Sequence, residues 1–174
     1  KSYLLVNGTS GGILAAVMAS VPKGKKLIMA RNCHKSVFNA LSLAGAEPVY
    51  AYPEFVSEYG ISGAVMPDEI ERLLAENPDA EAVILPSPNY YGICSDIAAI
   101  ADTVHRAGKV LIVDQAHGAH LKFFSDYCGG TLSFPKSAEE QGADITINSV
   151  HKTLGSFTQS AVMNVNSDKT DLYL

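Results

Sequence analysis

The chain has 174 residues, of which 47% are hydrophobic and 18% charged, so it is long enough for one domain with its own core and too apolar to be disordered. Its formal net charge of −5 argues against a nucleic-acid-binding or anionic-membrane surface. The three cysteines, Cys33, Cys94 and Cys128, are odd in number and lack CxxC spacing. They therefore favour neither a disulfide framework nor a zinc site, and indicate a reducing, cytoplasmic location.

Seven short and nearly continuous apolar runs predict β-strands that are buried on both faces, which is typical of a mostly parallel sheet. They cover residues 3–6, 27–29, 49–52, 82–85, 110–113, 145–147 and 161–165. The link of residues 153–160 is too short for a helical crossover. We therefore expect the last strand to run antiparallel to its neighbour.

Apolar stripes at helical spacing lie between these runs. They consist of Ile13, Leu14, Val17 and Met18, of Ile70, Leu73 and Leu74, and of Ile97, Ile100, Ala101 and Val104. Residues typical of helix starts and stops flank the helices: Pro67, Asp68, Ser95 or Asp96 at starts, Gly45 and Gly108 at stops. The alternation predicts a single three-layer α/β/α domain over residues 1–174, with a mostly parallel seven-stranded sheet and an antiparallel last strand.

Two features depart from this alternation. Residues 125–142 contain Gly129, Gly130 and Pro135, and we interpret them as an excursion over the surface. The chain begins at Lys1 directly with an apolar strand and stops at Leu174 without a closing element. This is typical of a piece cut from a longer protein.

Ligands of doubly wound sheets bind outside the carboxyl ends of the strands, so the residues that follow each strand are the candidates for function. After the first strand comes Asn-Gly-Thr-Ser-Gly-Gly at residues 7–12, then a helix. Small residues before a helix N-terminus can bind an anion, but the same residues also suit a plain strand–helix turn. The turn has neither the lysine of a P-loop nor GxGxxG spacing.

The next two strand ends are ambiguous when taken alone. Arg-Asn-Cys-His-Lys-Ser at residues 31–36 contains His34, and a lone histidine there is more often a helix cap or a surface residue. Ser-Pro-Asn-Tyr-Tyr-Gly at residues 87–92 forms either a packed turn or a pocket wall.

Asp114 ends the fifth strand, and a buried carboxylate there needs a partner. It could bind a metal with His117 and His120, although that spacing fits no common pattern; it could cap a turn; or it could hold a protonated ring nitrogen. Lys152 follows the sixth strand between His151 and Thr153. A lysine that is partly desolvated near other cations suits an imine-forming amine.

Together these motifs resemble a known family. Asp-x-Ala-His-Gly-x-His from residue 114, Ser-x-His-Lys from residue 149, and the runs at 7–12 and 31–36 are similar to fold-type I enzymes dependent on pyridoxal 5′-phosphate (PLP). Their order resembles the prokaryotic ornithine/lysine/arginine decarboxylases, whose large domain has the PLP-dependent transferase fold. The resemblance runs through nearly the whole chain. It implies PLP as the cofactor and no metal.

The resemblance also implies catalytic roles. Lys152 would carry the cofactor covalently, and Asp114 would keep the pyridine nitrogen protonated, so that the ring withdraws electrons. His34 would stack on one ring face and Ala116 would pack on the other, while His117 would lie near the reacting carbon and the substrate carboxylate. Ser10 and Gly11, with Ser149 and His151, would hold the phosphate, and Thr9 is also assigned to cofactor binding. Gln115 departs from the pattern, because its place is often taken by glutamate.

The implied activity is decarboxylation of ornithine, lysine or arginine to a polyamine-type amine and CO₂ by a cytoplasmic lyase. The full-length protein would be a homodimer or larger, with a carboxyl-terminal domain and a neighbouring subunit completing the pocket. Two alternatives remain open. One is another PLP reaction on the same fold, such as transamination, aldol cleavage or Cβ–S cleavage, and the other is a non-catalytic module.

Overall fold

The computed structural model describes residues 1–127 and 134–167. Its strands are β1 Ser2–Leu5, β2 Lys26–Ala30, β3 Glu47–Ala51, β4 Phe55–Val56, β5 Ile61–Ser62, β6 Ala80–Pro86, β7 Val110–Asp114, β8 Ile145–Ser149 and β9 Ala161–Val165. Its helices are α1 Gly8–Ser20, α2 Lys35–Ala44, α3 Pro67–Glu76, α4 Ile97–Arg106, α5 Leu121–Tyr127 and α6 Val150–Thr153, with a 3₁₀ turn at Ala138–Gln141. All seven predicted strands are present.

Seven strands form one sheet in the order β1-β9-β8-β7-β6-β2-β3. The pairs β2–β3, β2–β6, β6–β7 and β7–β8 are parallel, while β9 runs antiparallel to both β8 and β1. This confirms the mostly parallel sheet and the antiparallel last strand. The carboxyl ends of β2, β6, β7 and β8 consequently meet at one edge of the sheet.

Helices cover both faces of the sheet, as the three-layer prediction requires. On one face α1 packs against α2 and against β7, β8 and β9; on the other, α4 packs against α3, β7 and the 3₁₀ turn. Gly12 marks the close approach of α1 to the sheet, because a Cβ atom there would lie 2.9 Å from Ile147 Cγ2. The apolar core fills both interlayer spaces, with Ile13, Ile28, Ile84, Ile100 and Ile112 fully buried.

The helix boundaries agree with the predicted signals. Pro67 is the first residue of α3, and Asp96 caps α4 by accepting a hydrogen bond from the Ala99 N–H (3.1 Å). Gly45 ends α2 with a φ of 62°, a left-handed conformation that favours glycine. Met18, however, is 53% exposed and does not belong to the buried stripe of α1.

The prediction that every strand is buried on both faces is wrong for β1 and β3. These two form the edges of the sheet, and Leu4 of β1 is 88% exposed. An apolar run predicts a strand but does not encode where that strand lies in the sheet. The short antiparallel hairpin β4–β5 was not predicted, and α1 begins at Gly8, earlier than expected.

The interpretation of residues 125–142 as a surface excursion is wrong for its last part. Ser137 and Ala138 are buried, and the 3₁₀ turn packs against β8 and α4. Residues 128–133, which include Cys128, Gly129 and Gly130, lie outside the described residues. Of the described cysteines, Cys33 and Cys94 are free thiols. Within 1–127 and 134–167 no helix is long and apolar enough to cross a membrane.

Candidate functional site

A cavity of about 470 Å³ opens at the edge where the parallel strands end. Its size falls in the range of small-molecule pockets, roughly 300–1,000 Å³. Nine of the ten predicted site residues line it: Thr9, Ser10, His34, Asp114, Ala116, His117, Ser149, His151 and Lys152. Gly11 is the exception, because its backbone N–H turns back to the Asn7 carbonyl (3.3 Å) within α1.

Lys152 lies in the short helix α6 that follows β8 directly. Its Nζ is 3.2 Å from His117 Nε2. Burial lowers the pKa of His117, and the nearby Lys152 and His34 charges lower it further. A neutral imidazole can therefore accept the hydrogen bond that the lysine ammonium donates. The side chain of Lys152 is exposed at the rim of an open cavity, and its partial desolvation stays a prediction.

Asp114 is the last residue of β7 and is only 5% exposed. Its Oδ1 accepts a hydrogen bond from the Ala116 N–H (3.1 Å), so it does shape the following turn. Burial raises the pKa of this carboxyl group, against the smaller opposing effects of the Ala116 N–H and of Lys152 and His34. A cationic ligand group beside Asp114 would stabilise its ionised form.

The His34 side chain both caps a helix and lines the cavity. It is the N-cap of α2, where Nδ1 accepts the Ser36 N–H (3.3 Å) and lies 2.9 Å from Ser36 Oγ. It also lines the cavity with Asp114 and Lys152. Because Nδ1 is an acceptor, the neutral ring carries its proton on Nε2. The capping interpretation and the pocket interpretation are thus compatible, and stacking on a ring stays a prediction.

The first turn of α1 forms the opposite side of the cavity. Thr9 Oγ1 lies 3.2 Å from Ser149 Oγ, and the Gly8 N–H donates to the Gln159 carbonyl (2.9 Å). Gly8 has a φ of 64°, which favours glycine at the entry to the helix. Hydroxyl groups and a helix N-terminus around one space suit an anionic group of a ligand.

Several cavity residues were not assigned from the sequence: Asn7, Gly8, Asn32, Pro86, Pro88, Tyr90 and Gln159. Asn32 and Tyr90 lie inside runs that the sequence did mark. The Tyr90 ring meets the His117 ring edge-on at 5.9 Å, which favours the pocket-wall interpretation of the tyrosine pair. No sequence pattern marks Gln159, because only the path of the connection between β8 and β9 brings it to the site. Its φ is 67°.

The side chains that line the cavity therefore offer different chemical groups to a ligand. Thr9, Ser10 and Ser149 offer hydroxyl groups to an anion, and Asp114 offers a buried carboxylate to a cation. Lys152 supplies a primary amine to the same cavity. The described residues contain no group of three or more His, Cys, Asp or Glu side chains able to hold an ion.

Residues 1–172 match the protein family described as Orn/Lys/Arg decarboxylase, major domain. The arginine decarboxylase of Bacillus subtilis (strain 168) is 38% identical over 164 residues, which are 94% of this chain and 32% of that protein. The chain thus spans about a third of the length of this and two other curated relatives that it matches.

Solved structures show the same fold. The constitutive lysine decarboxylase of E. coli superimposes with a TM-score of 0.75 and 24% identity, covering 96% of this chain and 24% of that one. The sphingosine-1-phosphate lyase Bpss2021 of Burkholderia pseudomallei gives a TM-score of 0.79 at 17% identity, covering 97% and 39%. These likenesses and the family match confirm the fold and the resemblance found in the sequence. The chain belongs to the Orn/Lys/Arg decarboxylase family, whose major domain it matches.

Proposed function

We propose that the protein carrying this chain decarboxylates a basic L-amino acid with PLP, releasing CO₂ and a polyamine-type amine. One observation carries the proposal: the predicted lysine, aspartate and stacking histidine, which are far apart in sequence, line a single cavity together with an anion-binding turn. Membership of the decarboxylase family supports both the class of enzyme and the cofactor.

The residues present fit PLP. The buried carboxyl group of Asp114, whose pKa burial raises, is suited to the protonated nitrogen of the pyridine ring. Thr9, Ser10, Ser149 and His151 would hold the phosphate, and Ala116 leaves room for a flat ring opposite His34. When bound, the cofactor supplies a sink for the electrons that remain after CO₂ leaves.

The side chains of the chain itself would bind, orient and move protons. Asp114 would keep a proton on the ring nitrogen. His34, whose own ring is fixed by the α2 cap, would stack on the cofactor ring. Lys152 Nζ would make the covalent attachment. His117 Nε2, at 3.2 Å, would accept a hydrogen bond from that nitrogen and orient it, because the lowered pKa of His117 keeps its ring neutral.

Substrate choice and assembly are further parts of the proposal. Arginine, lysine and ornithine are all candidates, since relatives are named arginine decarboxylase and lysine decarboxylase. The exposed rim around Lys152 supports the expectation that a further domain and a neighbouring subunit of a cytoplasmic homo-oligomer complete the pocket. Residues 1–174 alone would then hold PLP weakly and show little activity.

A substrate panel on the full-length protein tests this function. Arginine, lysine and ornithine are each supplied with PLP, and CO₂, the amine product and any keto acid are measured. We expect CO₂ and amine in equal amounts from at least one substrate. Keto-acid formation without CO₂ would favour transamination on the same fold, and no turnover of any amino acid by a protein with bound PLP would favour a non-catalytic module.

A further inference from the structure

A second polar cluster lies behind the cavity, on the other face of the sheet. Successive residues of a strand point to opposite faces. Asp114 and Ser149 line the cavity, so their neighbours Gln115 and Asn148 face the 3₁₀ turn. The contacts agree, because Gln115 Oε1 accepts the backbone N–H of Ala138 (2.6 Å).

Glu139 is the centre of this cluster. Its Oε1 accepts hydrogen bonds from Thr146 Oγ1 (2.8 Å), Asn148 Nδ2 (2.8 Å) and Asn164 Nδ2 (2.9 Å). Its Oε2 accepts from Gln115 Nε2 (2.9 Å). One carboxylate therefore joins the end of β7 to β8 and β9. Four hydrogen bonds from side chains of the protein itself thus hold this carboxylate in place.

The cluster explains why position 115 carries glutamine. The Gln115 amide nitrogen faces two oxygen acceptors, Glu139 Oε2 and Asn148 Oδ1 (2.7 Å), while its oxygen faces a backbone N–H. Only a carboxamide in this orientation satisfies all three neighbours. A glutamate at position 115 would place a second carboxylate against Glu139, with strong mutual repulsion.

We propose that Glu139 is a positioning residue for the cofactor site. By fixing β7 and β8 from behind, its carboxylate sets the spacing between Asp114 and the turn that begins at Ser149 and carries Lys152. This inference rests on the proposed function, because it assigns the cluster to PLP binding. It adds a residue that touches neither cofactor nor substrate and acts through Gln115 and Asn148.

The test uses full-length holoprotein and the variants Q115E, E139Q and the exchange Q115E/E139Q. We would measure the dissociation constant of PLP, the pH titration of the visible absorbance of the bound cofactor, and Tm. Each single variant should weaken PLP binding about tenfold, the effect of one unsatisfied buried polar group, and shift the titration midpoint. The exchange should recover part of both, since it restores one donor and one carboxylate across the same gap.

Two further variants keep the result interpretable. Ile100→Val removes one methyl group from a buried position in α4 and should lower Tm without moving the titration. Asn164→Ala removes a single donor to Glu139 and serves if Q115E does not fold. Single variants that lower Tm but keep the titration and the PLP affinity of the unaltered protein would overturn the positioning role alone. An unaltered protein that binds no PLP would overturn the proposed function and this inference with it.

Discussion

Two carboxylates on opposite faces of the same sheet have opposite electrostatic character. Asp114 faces the cavity, and burial raises its pKa. Glu139 lies behind the sheet and is also penalised by burial, yet its backbone N–H and the donors Gln115, Thr146 and Asn148 together lower its pKa. Asp114 is the more deeply buried of the two and accepts a backbone N–H, whereas Glu139 is half-buried and accepts four side-chain hydrogen bonds. Burial and donors therefore both contribute to the difference. One carboxylate is satisfied by the fold, and the other is left for a ligand to satisfy.

The two carboxylates should therefore differ in what they contribute to the stability of the cofactor-free protein. A carboxylate that the fold satisfies stabilises the native state at neutral pH, whereas a buried carboxylate with a raised pKa destabilises it until a cation binds. Neutralising a carboxylate that the fold satisfies should lower the free energy of unfolding. Neutralising a buried carboxylate with a raised pKa should lower activity without lowering the free energy of unfolding.

The largest effect on the cavity face is expected for Lys152→Ala. Without the primary amine there is no covalent attachment, so the visible absorbance of lysine-bound cofactor should disappear, and turnover should fall by several orders of magnitude. Lys136→Ala, an exposed lysine outside the cavity, is the matched control and should behave as the unaltered protein. A Lys152→Ala protein with normal turnover would contradict the assignment.

Asp114→Asn should lower activity without lowering the free energy of unfolding. The amide can still accept the Ala116 N–H but cannot stabilise a charged ring nitrogen, so turnover should fall by orders of magnitude, at about 1.4 kcal/mol per tenfold. The free energy of unfolding of the cofactor-free protein should stay equal or rise, because a buried charge is removed. Denaturant titration and activity assays measure the two effects.

Asp144→Asn is the control for that variant. Asp144 is equally buried, but it lies away from the cavity and accepts the Leu111 N–H (2.8 Å) and His105 Nε2 (2.9 Å). Its neutralisation should lower stability while the bound cofactor keeps its absorbance. If Asp114→Asn instead lowered stability like Asp144→Asn and kept its activity, the two carboxylates would have been assigned the wrong way round.

Glu139 and Asp114 should contribute to the pH dependence of the free energy of unfolding with opposite signs. The lowered pKa of Glu139 gives stability that is present above the unfolded pKa, about 4.3, and lost as pH falls through the folded pKa. The raised pKa of Asp114 acts in reverse: stability is present below the unfolded pKa, about 3.9, and lost as pH rises through the folded pKa.

Urea titrations of cofactor-free protein measure this. The free energy of unfolding of the unaltered protein minus that of E139Q should rise with pH. The same difference taken with Asp114→Asn should fall with pH, because only the unaltered protein then buries the Asp114 charge. Equal slopes for the two variants would contradict the comparison.

The smallest expected effect concerns His34, whose two roles can be separated. His34→Asn keeps a side-chain acceptor at the N-cap of α2 and should leave Tm nearly unchanged while weakening PLP binding. His34→Ala removes the cap as well, at a cost of about 1 kcal/mol in the free energy of unfolding. Identical PLP affinity in His34→Asn and the unaltered protein would show that His34 is a cap alone.

The sequence predicts most of the cavity face because its residues follow buried strands directly. Asp114 and Lys152 are marked by a charge at the end of an apolar run, and parallel strands must bring such ends together. The back face carries no comparable signal. Glu139 lies in a polar, glycine-flanked segment that reads as solvated surface, and only the packing of the 3₁₀ turn against β8 brings it to Asn148.

Two other features that the sequence did not predict have the same physical origin. Gln159 reaches the cavity through the path of a connection, which depends on how β9 pairs with β8. The exposure of Leu4 depends on β1 lying at an edge of the sheet. Local patterns report what a segment buries, whereas strand order and register depend on contacts between distant segments.

Reductive trapping shows which amine carries the cofactor. Borohydride reduction of the full-length holoprotein fixes the cofactor to the amine that carries it, and peptide mapping locates the pyridoxyl group. We expect a single labelled peptide with the modification on Lys152. A label on Lys35 or Lys122, or an active decarboxylase that takes no label at all, would contradict it.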